Sequence, residues 1–427
     1  MASELVMKKV YTRILLTGAL AAAWLICGMA MGQSEPLLRN NTSAVRGVPQ
    51  SGDAPPASVS KADIHSMLRN GSQTRVLVRY MPWWGEAKHI DVGYREDDAA
   101  QVGRQVADMA SRGIDGAIVT WYGPKDRYKN AVTHRLLHAA ESQGRFEVGV
   151  SIDIGSMKDC VKSGCDVTTE LISLIDYVAR EFWSSPAYLK YNGRPVLTSF
   201  GLEKLPIDWN RVKQSAPGNP LLLFRNSGGF DKPASDGAFA WIAPETASDR
   251  DPMATEYLRR FYKAAMAHRG AVVMGSAYSG FNDAAASWGK GRKIDQGCGQ
   301  TWLETLALAD EYLEHGGALP FLIVPTWNDY EEGTEIESGI DNCVSLEAKV
   351  EGSKLHWKVH GDERTITQFL VYSGNAEVAR LPRGTHVWTM TGEGPFTVVA
   401  EGVASVRNQM SAAQSKERRS TGGEPSK

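Results

Sequence analysis

Neither sign of charge dominates this chain. Its 427 residues carry 47 Lys and Arg against 49 Asp and Glu, a formal net charge of −2. Nucleic acids and anionic bilayers are met with a basic surplus, so the balance argues against both as partners and suits a neutral ligand. Cysteine is scarce, at five. None forms a Cys-x-x-Cys pair or clusters with histidine, which argues against zinc. The acidic stretches lack the Asp-x-Asp-x-Asp-Gly spacing of a calcium loop. His134 and His138 have the spacing of a metal pair, but their segment reads as an outer helix with no third ligand nearby. No metal and no cofactor is expected.

One long apolar run exists, at the N-terminus. Lys8, Lys9 and Arg13 precede an uncharged stretch from Ile14 to Gly32, and Ala30 and Gly32 supply small residues before Gln33. Residues 1–32 read as a secretory signal peptide, with an uncleaved anchor helix as the alternative. Trp24-Leu25-Ile26 before Cys27 lacks the small residues of a lipoprotein site. Either way the folded part lies outside the cytoplasm. The remaining Cys160, Cys165, Cys298 and Cys343 are even in number, which suggests disulfides in an exported chain. Three pairings are possible. Cys160–Cys165 with Cys298–Cys343 is favoured because the first pair closes a short loop; free thiols are the alternative.

Residues 33–73 are rich in Ser, Pro, Asn and Gly and read as a linker. Beyond them, apolar runs alternate with helical periodicity. The runs are Arg75–Trp84, Ile114–Tyr122, Phe146–Ile154, Pro195–Gly201, Leu221–Asn226, Ala238–Pro244, Ala271–Tyr278 and Pro320–Trp327. Helices are expected over Asp98–Arg112, where Asp98 and Gln101 are spaced as a capping box, and over Thr168–Trp183, Met253–His268 and Trp302–His315. Strands apolar on both faces, alternating with helices, predict a parallel sheet covered by helices. Eight repeats over roughly 250 residues fit an α/β fold of the closed (β/α)8 TIM-barrel type, at 74–342. From Cys343 onward short alternating runs predict a small antiparallel β domain, a sandwich, over 343–407. The polar residues 408–427 read as a disordered tail. A monomer is expected.

Active-site residues of such barrels come from the C-terminal ends of strands. The candidates are therefore Tyr80, Trp83, Trp84, Trp121, Tyr122, Asp153, Asn226, Glu245, Tyr278, Trp327 and Asn328 for binding, with Asp329 and Glu332 as a carboxylate pair. Aromatic faces stack on sugar rings, and paired carboxylates serve glycosidic cleavage, one protonating the leaving oxygen while the other attacks or activates water. The bland readings are that the aromatics pack the rim, that Asp97 and Asp98 cap a helix, and that Glu331, Glu335 and Glu337 are solvated.

The segment Trp327-Asn328-Asp329-Tyr330-x-Glu332 resembles the eighth-strand signature of glycoside hydrolase family 71, the endo-1,3-alpha-glucanases. Continued through Gly333-Thr334-Glu335-Ile336-Glu337 it is similar to family 99, the endo-alpha-mannosidases. Tyr80-x-x-Trp83-Trp84, Gly113-Ile114-Asp115-Gly116, Trp121-Tyr122 and Tyr188–Pro195 resemble earlier parts of both. Both families are (β/α)8 barrels. Aspartate at 329 matches family 71, whereas Gly333-Thr334 matches family 99. The resemblance implies Asp329 and Glu332 as the catalytic pair. It implies a polysaccharide or oligosaccharide substrate, alpha-1,3-glucan first and alpha-mannan second. Family 71 enzymes invert the anomeric centre; family 99 enzymes retain it. A non-catalytic carbohydrate-binding protein on a degenerate barrel, or a structural envelope protein, are the alternatives from other classes.

Overall fold

A computed structural model describes residues 59–69, 73–392 and 394–414. The signal peptide, most of the expected linker and the tail beyond residue 414 lie outside the described residues.

Eight parallel strands close into a barrel. They are β1 (Arg75–Tyr80), β2 (Gly116–Trp121), β3 (Glu147–Asp153), β4 (Arg194–Phe200), β5 (Leu221–Arg225), β6 (Gly237–Phe239), β7 (Val272–Ser276) and β8 (Phe321–Val324). Each pairs with the next, and β8 returns to β1 in the register Arg75–Phe321 to Val78–Val324. Their Val-, Leu- and Ile-rich runs are buried because one face of each strand meets helices and the other meets the barrel interior. Around them lie α1 (Ala99–Ser111), α2 (Arg127–Gln143), α3 (Lys158–Ser163), α4 (Val167–Phe182), α5 (Trp209–Ser215), α6 (Thr255–Ala267) and α7 (Gln300–Glu314). Asp98 caps α1 by accepting the Ala100 N–H, while Asp97 pairs with Arg95. The reciprocal half of the capping box is absent: the Gln101 side chain accepts from Arg104 instead. His134 packs on the Phe182 ring at 4.8 Å, and the His138 ring pairs with Glu141.

The ring departs from a regular eightfold in two places. Between β5 and β6 a single turn, Ser227–Gly229, replaces a helix. After β8 the expected helix gives way to extended chain and to the β domain. Arg112, at the end of α1, donates to the Ile336 and Glu337 carbonyls, and the Trp302 indole on α7 donates to the Ala404 carbonyl. Ile336, Ile340, Val403, Ala404 and Val406 thereby join the barrel core.

The β domain is a sandwich. One sheet contains β9 (Ser345–Glu351), β10 (Lys354–His360) and β13 (Val387–Thr389). The other contains β11 (Ile366–Ser373), β12 (Ala376–Pro382), β14 (Phe396–Gly402) and β15 (Gln409–Ala412). Leu355, Trp357, Phe369, Val371, Phe396 and Val398 fill the space between them. Two sequence boundaries are corrected here. β15 pairs with β14, so the fold runs past residue 407 into the expected tail. The end of the expected linker is also folded: Val59 bridges to Arg407, and Ile64 and Leu68 are buried in the barrel core. Its polar composition hid these few apolar anchors.

Cys160 is bonded to Cys165 and Cys298 to Cys343, with Cα atoms 5.0 and 5.2 Å apart. The second bond ties the approach to α7 to the first residue of the β domain. It closes a sequence separation of 45, against 5 for the first. By loop entropy the longer closure contributes about 4 kcal/mol and the shorter about 2 kcal/mol. Replacing Cys298 and Cys343 together by serine is therefore expected to lower Tm more than replacing Cys160 and Cys165. Calorimetry of the two double variants checks the order.

Candidate active site

Side chains alternate along a strand, and this pleat decides which residues reach the barrel mouth. On β1, Arg79 points inward and Tyr80 outward; on β2, Thr120 points inward and Trp121 outward. With Asp153 of β3, Phe200 of β4 and Trp241 beyond β6, the inward residues floor a cavity of about 440 Å³. Its walls are Trp83, His89, Tyr122 and Trp288, with Lys88 and Lys129 on the same side, and Asp329 and Glu332 supplied by the chain after β8. Aromatic rings and charged groups thus share one concave surface at the C-terminal ends of the strands.

The two acids are set by a tight reversal. The Asp329 N–H donates to Thr326 Oγ1 at 2.8 Å, and the Asp329 carboxylate accepts the Glu332 N–H at 2.9 Å. The Thr326 N–H donates to the Thr334 carbonyl, returning the chain onto the strand end. Gly333 has φ +57°, and a Cβ there would lie 3.2 Å from the Asn282 carbonyl oxygen, so the turn needs glycine. Asn282 in turn donates its N–H to the Glu332 carbonyl at 2.7 Å. The loop after Asn282 carries Trp288, whose indole N–H donates to Glu332 Oε1 at 3.0 Å. Burial raises the Asp329 carboxyl well above the usual carboxylate range, and the neighbouring Glu332 charge adds to this. Glu332 is also raised, chiefly by burial, with the Trp288 bond and Arg292 opposing. With the Asp329 carboxyl raised further by the Glu332 charge, the two titrate as a pair, and the singly protonated state is the one that combined acid and base catalysis requires.

Behind the cavity lies a second, hidden set of polar groups. Asn328 accepts the Met81 N–H and donates to the Met81 carbonyl and to Glu96. The Trp84 indole donates to the Asn328 carbonyl. Glu337 accepts from Tyr94, Gln105 and Tyr330. Burial pushes Glu96 and Glu337 up as well. Glu331 accepts from His89 at 2.8 Å and from the Ile90 N–H. Glu335 is buried with one carboxylate oxygen unpartnered, and desolvation raises it to about 8. The reading of Glu331, Glu335 and Glu337 as solvated is therefore corrected: all three are buried, with Glu331 and Glu337 meeting residues of the loops after β1.

Of the sequence candidates, Trp83, Tyr122, Asp153, Asp329 and Glu332 line the cavity. The others are placed elsewhere. The Tyr80 hydroxyl donates to Gln105 of α1. Trp121 donates to Asn130 of α2 and stacks on Tyr177. Trp84 and Asn328 belong to the hidden network, and Trp327 lies under Arg112 with the guanidinium 4.9 Å from its ring centre. The Tyr278 hydroxyl donates to the Met253 and Ala254 carbonyls. Asn226 accepts from Tyr257 and lines a separate surface hollow, and Glu245 is exposed. Choosing the last residue of a strand instead of the inward one explains Tyr80 and Trp121. Sequence reasoning missed Arg79, His89, Phe200, Trp241 and Trp288. Period-two counting from Leu77 would have found Arg79. Nothing local marks His89 or Trp288, whose partners lie 242 and 44 residues away.

The model of glycosyl hydrolase family 71 matches residues 89–354. Among solved structures, the chain is similar to a GH99 endo-alpha-mannosidase from Bacteroides thetaiotaomicron, at 17% identity over 62% of this chain and 87% of that one, with a TM-score of 0.49. It is also similar to a glycoside hydrolase-like protein, at 10% identity over 67% and 90%, TM-score 0.45. No curated protein matches the chain by sequence.

Glu335 gives the site a stability signature. Its folded pKa of about 8 lies above the ordinary 4.5, so between these values the folded chain holds a proton that the unfolded chain releases. Its contribution to stability is full below that window and falls as pH rises through it. Glu335→Gln is expected to flatten the decline in Tm between pH values of about 5 and about 8. Thermal unfolding of both proteins across that range checks it.

Proposed function

The chain belongs to glycosyl hydrolase family 71, and from that premise we propose that this glycoside hydrolase is exported and cleaves alpha-1,3-glucan within the chain, with Asp329 and Glu332 as the catalytic pair. The observation that carries the reading is the cavity itself: two carboxyls, both raised by burial, face a space lined by Trp83, Tyr122, Trp241 and Trp288. One carboxyl of the pair protonates the glycosidic oxygen as the bond to the anomeric carbon breaks, and the other takes a proton from the attacking water. The rings stack on sugar faces, and Arg79 and Asp153 at the floor meet hydroxyls. Arg79 is suited to this. It is buried, its Nε donates to Thr120, and its Nη1 has no hydrogen-bond partner among the described residues. The two disulfides suit an oxidising compartment outside the cytoplasm. Among the described residues no helix is long and apolar enough to cross a membrane.

Asp329→Asn and Glu332→Gln are each expected to cut turnover of alpha-1,3-glucan by on the order of 10²- to 10⁴-fold while the fold is kept. Reducing-end release with purified variants, beside wild type on alpha-1,3-glucan, alpha-mannan and starch, checks both residues and substrate. Near-wild-type activity of both variants would remove the pair from the mechanism.

Inversion is expected from the family, so the first reducing end formed from alpha-1,3-glucan is the beta anomer. Proton NMR in the first minutes of reaction reads the anomer directly. An alpha product formed first would mean retention.

A further inference from the structure

His89 and Trp83 stand side by side on the cavity wall, with their rings stacked at 4.6 Å and 16° from parallel. Each carries a buried ring nitrogen without a hydrogen-bond partner among the described residues: Nε1 of Trp83 and Nε2 of His89. Buried polar atoms in folded proteins are almost always satisfied, so two orphans on adjacent rings of one cavity call for a ligand. Their chemistry differs. Indole N–H can only donate. The other nitrogen of His89, Nδ1, is held at 2.8 Å by Glu331, and the two side chains are 5% and 3% exposed. With Nδ1 donating to that carboxylate, the Nδ1–H tautomer of the ring leaves Nε2 as an acceptor. Glu331 is itself fixed, since its other oxygen accepts the Ile90 N–H. The stack stands beside the acid pair. Trp288 meets both rings edge-on, at 6.0 and 6.2 Å, and bonds to Glu332.

We propose that Trp83 and His89, with the histidine tautomer set by Glu331, form a sugar-reading subsite that binds an acceptor oxygen and a neighbouring hydroxyl on adjacent carbons of one ring. Trp83 donates to the first, and His89 accepts from the second. In an alpha-1,3-glucan the linkage oxygen on C3 and the free 2-hydroxyl supply that pattern. A cationic ligand group has no acceptor for Trp83, and a purely accepting group such as a carboxylate leaves His89 unmet. This rests on the glycan reading above and adds the residues that hold two adjacent sugar oxygens. His89 and Trp83 bind substrate here; Glu331 is a positioning residue.

The test has two parts, both on the full-length protein. In the first, the ¹⁵N-histidine NMR spectrum is recorded without ligand, with His89→Gln identifying the His89 signals. The expected result is a proton on Nδ1 and none on Nε2, and loss of that preference in Glu331→Gln. A protonated Nε2 in the wild type overturns the proposal. In the second, binding of an alpha-1,3-linked glucose tetrasaccharide is measured by calorimetry in the Asp329→Asn background. Trp83→Phe keeps the stacked ring and removes the N–H, so it separates hydrogen bonding from packing. Both Trp83→Phe and His89→Gln are expected to weaken binding about tenfold, and the His89 Nε2 signal is expected to shift when the tetrasaccharide binds. If the parent binds and both variants bind equally well, the subsite is wrong and the glycan reading stands. If the parent binds neither this tetrasaccharide nor its alpha-mannan counterpart, the glycan reading falls and the subsite with it.

Discussion

The burial of acids at the end of β8 is the constraint on which the rest of the site depends. Between Trp327 and Glu337 the chain carries Asp329, Glu331, Glu332, Glu335 and Glu337, and none of them is fully exposed. Moving a carboxylate out of water is costly unless it is paired, hydrogen-bonded or protonated. The protein uses all three solutions within one short segment. Glu331 has a histidine, Glu337 has two tyrosine hydroxyls and an amide, and Asp329 and Glu335 have their proton affinity raised. The loops after β1 are shaped by this need. They carry Trp84, His89, Tyr94 and Glu96 to places where each meets the acidic segment or its asparagine.

Division of labour follows from the same packing. Asn328 locks the strand-end turn to Met81 and Glu96, so the backbone that holds Asp329 is fixed from behind. The cavity face is left with few partners among the described residues: the Asp329 carboxylate accepts a backbone N–H, and Glu332 accepts an indole N–H. Rigid support behind and unspent hydrogen-bonding capacity in front is the arrangement that binding and proton transfer need. The β domain contributes to the support. With extended chain and Val403–Val406 in the place of an eighth helix, the segment following Glu337 is held by Ile340 against Val406 and by Arg407 on the Ser338 carbonyl. The Cys298–Cys343 bond fixes the same junction from the α7 side.

Much of this was legible in the sequence for a physical reason: secondary structure follows local periodicity. Apolar runs between helical segments located all eight barrel strands, because a strand buried on both faces is mostly apolar, with Arg79, Thr120 and Asp153 as inward exceptions at the cavity. The change to alternating runs after Cys343 marked the sandwich, because each of its sheets buries one face. The short spacing of Cys160 and Cys165 suggested their pairing. The density of aromatics and acids at strand ends marked where the cavity lies, and the Trp-Asn-Asp-Tyr-x-Glu string pointed to the family.

Tertiary structure decided the direction and burial of each candidate. Tyr80 and Arg79 are neighbours, yet the pleat sends one to α1 and the other to the cavity floor. Glu331 and Glu332 are neighbours too; one is sealed against His89 and the other lines the cavity. An acidic run looks solvated until chain from more than two hundred residues earlier covers it, and composition carries no record of that cover. The folded ends of the expected linker and tail were hidden likewise, because Ile64 and Leu68 are meaningful only once the barrel core exists to receive them. The sequence by itself determined the strands, the helices and the chemical types available at the barrel mouth. Which of those groups share a cavity, which sustain one another behind it, and which nitrogens are left unpaired were decided by long-range packing, since those properties belong to pairs of residues that only the fold brings together.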